Sequence, residues 1–143
     1  MPQPFETHRD QFTISTDPSR LDMDAIADLL SRSYWANTRT REQLERALSH
    51  SLVFGMYSSI HQIGLARVIS DYSIFAYLCD VIIHEDYRGH GLGKWLMSAI
   101  HNHPDLVNVR RWMLVTNDAH GLYSQFGYTL LEQPEHWMMK LDG

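Results

Sequence analysis

Hydrophobic and polar positions repeat along this chain with two different periods, and each period predicts one kind of secondary structure. Seven segments alternate between apolar and polar residues, or run apolar without a break, as strands do: 12–16, 52–57, 62–70, 73–83, 111–115, 128–131 and 137–141. Four segments repeat their apolar residues with the period of core-facing helices: 22–30, 40–48, 92–102 and 119–126. The 143 residues therefore predict a single α/β domain, 1–143, with about seven strands and four helices.

The order of these elements determines how the strands pair. The strand at 73–83, the helix at 92–102 and the strand at 111–115 form a strand–helix–strand unit, whose strands must lie parallel with a right-handed crossover. The other connections are short and favour antiparallel neighbours, so we expect one mixed sheet. Ligands of parallel units bind beyond the carboxyl ends of the strands, where the turns 84–91 and 116–118 both lie.

A glycine-rich turn links the 73–83 strand to the following helix, and it reads Arg88-Gly89-His90-Gly91-Leu92-Gly93-Lys94. Glycines let a backbone approach a ligand closely, and the start of a helix presents unpaired N–H groups at the positive end of its dipole. Both features suit a phosphate or pyrophosphate. The turn is one residue short of the Rossmann pattern, and Trp95 stands where a Walker A loop needs a hydroxyl residue.

A second motif follows the 111–115 strand, and it reads Leu122-Tyr123-Ser124-Gln125-Phe126-Gly127-Tyr128. Asn117 or Asp118 is expected to cap its helix, and Gly127 is expected to end it. Arg-x-x-Gly-x-Gly followed by Leu-Tyr-x-x-x-Gly-Tyr resembles the two signatures of the GNAT N-acetyltransferase superfamily. Tyr128 stands where that family more often has Phe, and the resemblance is closest over 60–128.

The resemblance implies both a fold and a co-substrate. In this family the two parallel strands splay apart, acetyl-CoA enters the gap, and its pantetheine amides pair with a strand edge that corresponds to Val81, Ile82 and Ile83. The backbone of the turn holds the pyrophosphate, a role that falls here to Arg88, Gly89, His90, Gly91, Leu92, Gly93 and Lys94. Asn117 and His120 face the same opening as expected cofactor contacts. An N-cap and an exposed helical histidine are the alternative interpretations.

Direct acetyl transfer to an amine needs a base for the amine proton, a donor for the thioester oxyanion and an acid for the leaving thiolate. The resemblance assigns the acid to Tyr123 and the oxyanion donor to a backbone N–H near Val81 or Ile82. Core packing is the alternative for Tyr123, because it lies on one apolar stripe with Leu122 and Phe126.

Asp80 is the candidate for the base. It interrupts an apolar run in a strand expected to be buried, where an isolated carboxylate has a raised pKa. Strongly perturbed acids are frequent at functional sites. A structural hydrogen bond or a solvent-facing position is the alternative, and Asp71, His84 and Glu85 are weaker candidates for the same task.

As in relatives of this fold, the acceptor is expected to contact the segment between the first two helices and the region 70–77. Tyr34 and Trp35 are adjacent large aromatics, and Arg39 and Arg41 follow them. Trp35 is a candidate wall over the acceptor, and Arg39 or Arg41 is a candidate for binding a carboxylate in a bidentate manner. Core packing of the aromatics and solvation of the arginines are the alternatives. A small amine or an amino-acid-like acceptor is the expectation.

Composition excludes several other functions. A net charge of −5 offers no basic surface for nucleic acid, and no apolar run is long enough to span a membrane. The start of the sequence lacks the pattern of a secretory signal. The single cysteine, Cys79, is expected to be a small buried hydrophobe and indicates a cytoplasmic protein. The nine histidines lack the spacing of a metal site, so no metal is expected.

The sequence thus predicts an acetyl-CoA-dependent N-acetyltransferase, and it is compatible with a homodimer. Three other functions stay open: a catalytically silent acyl-CoA-binding regulatory module, a protein or peptide N-acetyltransferase, and a protein that binds a different phosphate ligand.

Overall fold

A mixed sheet organises the chain, which the computed structural model describes over residues 3–33, 36 and 38–142. Its six strands lie side by side in chain order. They are β1 (Glu6–Arg9), β2 (Phe12–Ser15), β3 (Leu52–Ser58), β4 (His61–Ser70), β5 (Phe75–Ile83) and β6 (Arg111–Met113). Neighbours from β1 to β5 pair antiparallel, and β5 pairs with β6 parallel. The predicted mixed sheet with one parallel pair is therefore confirmed.

Four α-helices accompany the sheet: α1 (Met23–Ser31), α2 (Arg41–Ser49), α3 (Leu92–His101) and α4 (His120–Ser124). The sequence pattern Thr40-x-x-Gln43 predicts a capping box at the start of α2. The capping box is present, because the Thr40 side chain accepts from the Gln43 N–H and the Gln43 side chain accepts from the Thr40 N–H. None of the helices in the described ranges is long and apolar enough to cross a membrane.

The start of α4 differs from the sequence expectation. Neither Asn117 nor Asp118 caps the helix, because Thr116 Oγ1 accepts the Ala119 N–H at 3.1 Å and Ala119 takes the N-cap position. Because of the turn that Thr116 forms, α4 begins at a later residue than the sequence predicts. Gly127 adopts a φ of 91° just after the helix, as predicted for a residue that ends it.

Apolar side chains cover both faces of the sheet. One cluster packs α3 and α4 against the first face, with Ile14, Phe54 and Leu96 fully buried in it. A second cluster packs α1 and α2 against the opposite face, with Ile26 and Leu65 fully buried. The sheet is therefore the middle layer of the domain, between two layers of helices.

The strands differ from the sequence expectation at the two ends of the chain. The sequence pattern does not predict β1, because its residues are polar and mostly exposed; a tight turn with Asp10 at a φ of 55° pairs it with β2. Residues 128–131 and 137–141 have the apolar pattern of strands but form none in the described structure. An apolar pattern does not make a strand unless a neighbouring chain pairs with its backbone.

Candidate active site

The two parallel strands separate soon after they pair. Their register runs only from the Phe75–Arg111 pair to the Tyr77–Met113 pair. Beyond it they diverge around a cleft of about 420 Å³, which is lined by 77–81 on one wall and by 114–119 on the other. The splayed parallel pair implied by the resemblance is therefore present, and it opens at the carboxyl ends of the strands.

A β-bulge interrupts the wall of the cleft that β5 provides. The β4–β5 register shifts between Leu65 and Arg67, so that Asp80 and Val81 lie opposite one residue of β4. Asp80 adopts a φ of 55°, in the left-handed region that Asp tolerates better than most residues. A bulge releases backbone groups from the ladder and redirects side chains. The backbone near Val81, where the oxyanion donor is predicted, therefore lies at an interruption of the ladder.

The bulge residue forms a buried ion pair with two arginines. The Asp80 side chain is 1% exposed, and its Oδ2 accepts from Arg39 Nη1 at 2.7 Å and from Arg67 Nε at 2.9 Å. Burial by itself raises the pKa of Asp80, but hydrogen bonds and charges from both guanidinium groups outweigh burial and hold the pKa below its ordinary value. The raised pKa expected from the sequence is therefore wrong, because the carboxylate is not isolated.

Tyr123 packs in the core and also borders the cleft. Its side chain is 9% exposed, and its ring lies edge-on to that of Tyr128 with 5.9 Å between the centroids. Tyr128 in turn is fixed by a hydrogen bond of 3.1 Å between its hydroxyl and His101 Nε2, and burial raises the pKa of Tyr128. The cleft lining includes Tyr123. The observed geometry is thus compatible with both interpretations of Tyr123, namely core packing and a position at the reaction site.

The glycine-rich turn has the backbone conformation of an anion site. Gly89 and Gly91 adopt φ values of 86° and 72°, which residues with a side chain rarely adopt. Gly91 is the N-cap of α3, and no side chain caps the helix, so its first N–H groups are available to a ligand. A Cβ on Gly89 would meet no atom within 4 Å, so this face of the turn is open. Arg88 Nε donates to the Ile83 carbonyl at 3.2 Å and fixes the turn to the end of β5.

The remaining residues of the turn divide into two groups. His90 and Lys94 are exposed. Leu92 is 3% exposed and anchors α3 in the core, while a Cβ on Gly93 would lie 3.8 Å from Leu122. Leu92 and Gly93 can therefore contribute to a phosphate site only through their backbone.

Arg9 also belongs to this site, although no sequence motif predicts it. It ends β1, and its guanidinium lies 6.0 Å from the centre of the Trp95 ring. One of its terminal nitrogens lies 3.7 Å from the position that a Cβ on Gly91 would occupy. A positive charge from a distant strand is thus held against the open turn. Arg9 lies in the polar strand β1, which has no apolar pattern, so the sequence does not predict that this strand reaches the site.

The other predicted cofactor contacts are distributed over different surfaces. Val81 and Asn117 line the cleft. The side chain of Ile82 is buried against the helices α1 and α2, so only its backbone can face a ligand. His120 is exposed and borders a separate hollow beside Leu130, so the structure does not bring it into the cleft.

The predicted acceptor residues are only partly described. Arg39 lines the cleft with 30% of its side chain exposed. Tyr34 and Trp35 lie outside the described residues. Arg41 is turned to the surface, where it pairs with Asp24 and Glu45 at 2.8 and 3.2 Å. Of the two predicted arginines, Arg39 and Arg41, Arg39 is therefore the one that lines the cleft.

The weaker base candidates do not line the cleft. Asp71 closes a turn by accepting the N–H groups of Phe75, Ser73 and Ile74, and these hydrogen bonds lower the pKa of Asp71. His84 and Glu85 both contact Arg32 at the surface, the latter at 2.6 Å. All three have structural roles in the described geometry.

The single cysteine and the histidines provide no further chemistry. Burial raises the pKa of Cys79 to about 11, so its thiol stays protonated. It donates to the Arg67 carbonyl at 3.5 Å. Cys79 is only partly buried and lines the cleft, so the expectation of a buried residue is wrong. Within the ranges that the structure describes, no three or more His, Cys, Asp or Glu side chains are grouped to hold a metal ion.

Comparisons with known proteins agree with this geometry. The model of the GNAT acetyltransferase domain matches residues 49–130. A Gibberella zeae protein described as a candidate acetyltransferase, FG08082, is 32% identical over 86% of this chain and 81% of its own length. A Xanthomonas campestris protein described as a GNAT-family acetyltransferase superposes with a TM-score of 0.88 at 43% identity, covering 92% of this chain and 93% of its own.

The fold likeness extends to more distant structures. A GNAT-family acetyltransferase of Elizabethkingia anophelis, solved with acetyl-CoA bound, has a TM-score of 0.67 at 14% identity, over 87% of this chain and 80% of its own. GNAT acetyltransferases use acetyl-CoA as the acetyl donor. The splayed parallel strands, the open glycine-rich turn and the matching family model establish that this chain belongs to the GNAT acetyltransferase superfamily and is an acyltransferase.

Proposed function

We propose that this protein transfers the acetyl group of acetyl-CoA to the amine of a small acceptor that carries a carboxylate, as an amino acid does. The observation behind the proposal is the composition of the cleft. One wall carries the bulged backbone of β5, and Tyr123 borders the same space. Arg39 and Asp80 add a positive and a negative group to its lining.

The donor is held by the two backbone features at the carboxyl ends of the parallel strands. The open turn from Arg88 to Lys94 takes the pyrophosphate on its N–H groups, with the Arg9 guanidinium beside Gly91. The unpaired edge of β5 beyond Tyr77 takes the pantetheine amides. Acetyl-CoA supplies the acetyl group as a thioester, which reacts with an amine without an intermediate on the protein.

In the reaction, a C–N bond forms between the acceptor nitrogen and the acetyl carbonyl carbon, and the C–S bond breaks. The acceptor nitrogen loses a proton, and the thiolate gains one. We assign stabilisation of the oxyanion to a backbone N–H of the bulge near Val81, where the register shift interrupts the ladder. Tyr123 donates the proton to the thiolate from the wall of the cleft.

The acceptor is oriented by opposite charges. Arg39 reaches Asp80 through Nη1, and a guanidinium has five N–H donors, so others remain to bind an acceptor carboxylate. Asp80 stays ionised because two arginines lower its pKa, which suits it to accept a hydrogen bond from the acceptor ammonium. A carboxylate with a lowered pKa is a weak base. We therefore assign the removal of the amine proton to a water chain in the cleft.

A thiol-release assay with a panel of amines tests this function. Free amino acids should be acetylated, and the methyl ester of the best acceptor should lose roughly 10- to 100-fold in kcat/KM, since a charged hydrogen bond contributes about 1.5–3 kcal/mol. Arg39→Gln should remove this discrimination. Arg41→Gln is the matched control, because Arg41 is exposed and paired outside the cleft.

Other outcomes identify other functions. Tight acetyl-CoA binding with no turnover on any amine would indicate a silent regulatory module. Equal affinity for acetyl-CoA and ADP by calorimetry would indicate a different phosphate ligand. Acetylation of peptides in preference to free amino acids would overturn the proposed acceptor class.

A further inference from the structure

Beside Asp80, the same face of the sheet continues as an apolar surface. In the β4–β5 register Cys79 lies opposite Arg67, and Tyr77 lies opposite Ile69. Paired residues share one face of a sheet, and so do alternate residues of one strand. These side chains therefore lie on the face that carries the ion pair between Asp80 and Arg67. Cys79 and Tyr77 both line the cleft.

A residue near the end of the chain adds to this surface. Met139 lines the same cleft, and it is 84% exposed. Ile69 is 44% exposed although β4 lies between two other strands, so a face of the sheet is open there and not an edge. An exposed apolar surface that adjoins a polar cleft is typical of a surface that a ligand covers. We use the name apolar shelf for four residues: Ile69, Tyr77, Cys79 and Met139.

The apolar shelf is uncharged. Burial raises the pKa of Tyr77, and it raises the pKa of Cys79 to about 11. The hydroxyl and the thiol therefore stay protonated near neutral pH, and the thiol already donates to the Arg67 carbonyl. The shelf itself thus provides no cation and no anion to the side chain of a ligand.

The charged groups next to the shelf already have partners. Arg67 donates to Asp80 at 2.9 Å and to the Ser51 hydroxyl at 3.2 Å. In the proposed function, Arg39 binds the carboxylate of the acceptor and Asp80 binds its ammonium. A second charge on the acceptor would lose water at the shelf without gaining a partner, which is costly. An apolar side chain, by contrast, is stabilised when it leaves water.

We propose that the acceptor is an amino acid with a large apolar side chain, such as leucine, methionine or phenylalanine, and that this side chain packs on the apolar shelf. The inference rests on the proposed function, because that function places the acceptor's charged groups at Arg39 and Asp80. From there Cys79 is the adjacent residue of β5, and Tyr77 follows about 7 Å farther along the strand. The charged pair recognises what all amino acids share, and the shelf selects among them.

Amino acids that differ only in their side chains test the selection. In a thiol-release assay with acetyl-CoA, leucine should exceed alanine in kcat/KM by roughly 10- to 100-fold, because a large apolar side chain is buried. Asparagine is the matched comparison, since it has nearly the shape of leucine but a polar amide. Asparagine, glutamate and lysine should be no better than alanine.

Two substitutions at exposed residues test the shelf directly. Ile69→Thr and Met139→Ala should each lower the ratio of leucine to alanine roughly 3- to 10-fold, with little change in kcat/KM for alanine. Threonine retains a β-branched side chain, which suits the strand position of Ile69. Ile60→Thr is the matched control, because Ile60 is 88% exposed between β3 and β4 and does not line the cleft. It should keep the parental ratio.

The single cysteine provides a measurement on the unchanged chain. N-acetyl-leucine, the expected product, should cover Cys79 and slow its alkylation by iodoacetamide, which mass spectrometry follows. N-acetyl-alanine at the same concentration should slow it less, because its methyl group leaves the shelf open. This comparison does not depend on the folding of a variant.

The outcomes separate this inference from the function on which it rests. If no free amino acid is acetylated, the proposed function itself fails. If amino acids are acetylated but asparagine or glutamate equals leucine, only the shelf is rejected. A preference for lysine would also reject it, and would indicate that the side chain meets Asp118 on the opposite wall. Parental ratios in both shelf variants, or equal slowing of Cys79 alkylation by the two products, would overturn the proposal as well.

Discussion

The substitution Asp80→Asn separates the electrostatic role of this residue from its backbone role. Asn has nearly the same shape and also tolerates a positive φ, so the bulge geometry, with its φ of 55°, is retained. The change removes the negative charge that pairs with Arg39 and Arg67. It also replaces a carboxylate, which only accepts hydrogen bonds, by an amide, which donates them as well. Any effect therefore reports on the ion pair and not on strain.

The magnitude follows from the burial of the three side chains. Asp80 is 1% exposed and Arg67 11%, so that bond lies in a poorly solvated site, whereas Arg39 is 30% exposed and can recover water. Arg67 also keeps the Ser51 hydroxyl at 3.2 Å. Removing one partner of a buried pair costs about 3–5 kcal/mol, and the access of Arg39 to water reduces this to roughly 2–4 kcal/mol. For a chain of this length the melting temperature should fall by about 5–15 °C.

The lowered pKa of Asp80 determines the direction in which its contribution to stability changes with pH. The folded pKa of Asp80 lies below its unfolded value, so its contribution is present above the unfolded pKa and is lost as pH falls through the folded pKa. The difference in melting temperature between parent and variant should be full at pH 7 and should shrink at a pH below about 3.9. Calorimetry at both pH values measures it, and equal melting temperatures at pH 7 would refute the reasoning.

Kinetics on the same variant decide whether Asp80 is also the base. If Asp80 only binds and positions, kcat should fall without a change in the shape of the pH–rate profile. If it removes the amine proton, the rate of Asp80→Asn should recover at high pH, where free amine is abundant. Such a recovery would contradict the water chain proposed for this step.

Three further variants test the other parts of the site. Gly91→Val should weaken acetyl-CoA binding by at least about tenfold, because a β-branched residue is strained at a φ of 72° and its side chain obstructs the turn. Gly121→Ala, in open space, is the control, and unchanged affinity of a folded Gly91→Val would contradict the pyrophosphate site. Tyr123→Phe should lower kcat by about 10²-fold with little change in acetyl-CoA affinity, and a parental rate would exclude Tyr123 as the acid. Arg9→Gln should raise the Kd for acetyl-CoA roughly 3- to 10-fold by calorimetry, and an unchanged Kd would show that Arg9 does not face the phosphates.

The parts of the fold that the sequence predicted are those in which the signal is local. The capping box of Thr40 and Gln43 and the glycine stop at Gly127 each depend on residues a few positions apart. The strand–helix–strand unit follows from the same kind of pattern, because connection length and handedness leave only one way to pair its strands. The position of the cleft therefore follows from the sequence pattern alone.

The features of the site that the sequence did not predict depend on contacts between residues that are distant along the chain. Arg39 and Asp80 are 41 positions apart, and nothing in the apolar run around Asp80 indicates that a guanidinium will reach it. The pKa expectation failed for this reason, since burial and ion pairing shift a carboxylate in opposite directions and only the three-dimensional contact decides between them. The position of Arg9 could not be predicted for a similar reason, because it ends β1, a strand without an apolar pattern in the sequence.

The same argument applies to the two C-terminal segments, 128–131 and 137–141. Their largely apolar residues predict strands, and that pattern carries information about burial but none about which backbone will pair with them. Within the described chain no such partner is present, yet the edge of β6 stands open beside residues 128–131. A strand pattern therefore shows which segment can be buried in a sheet, and only the three-dimensional structure shows whether a neighbouring backbone pairs with that segment.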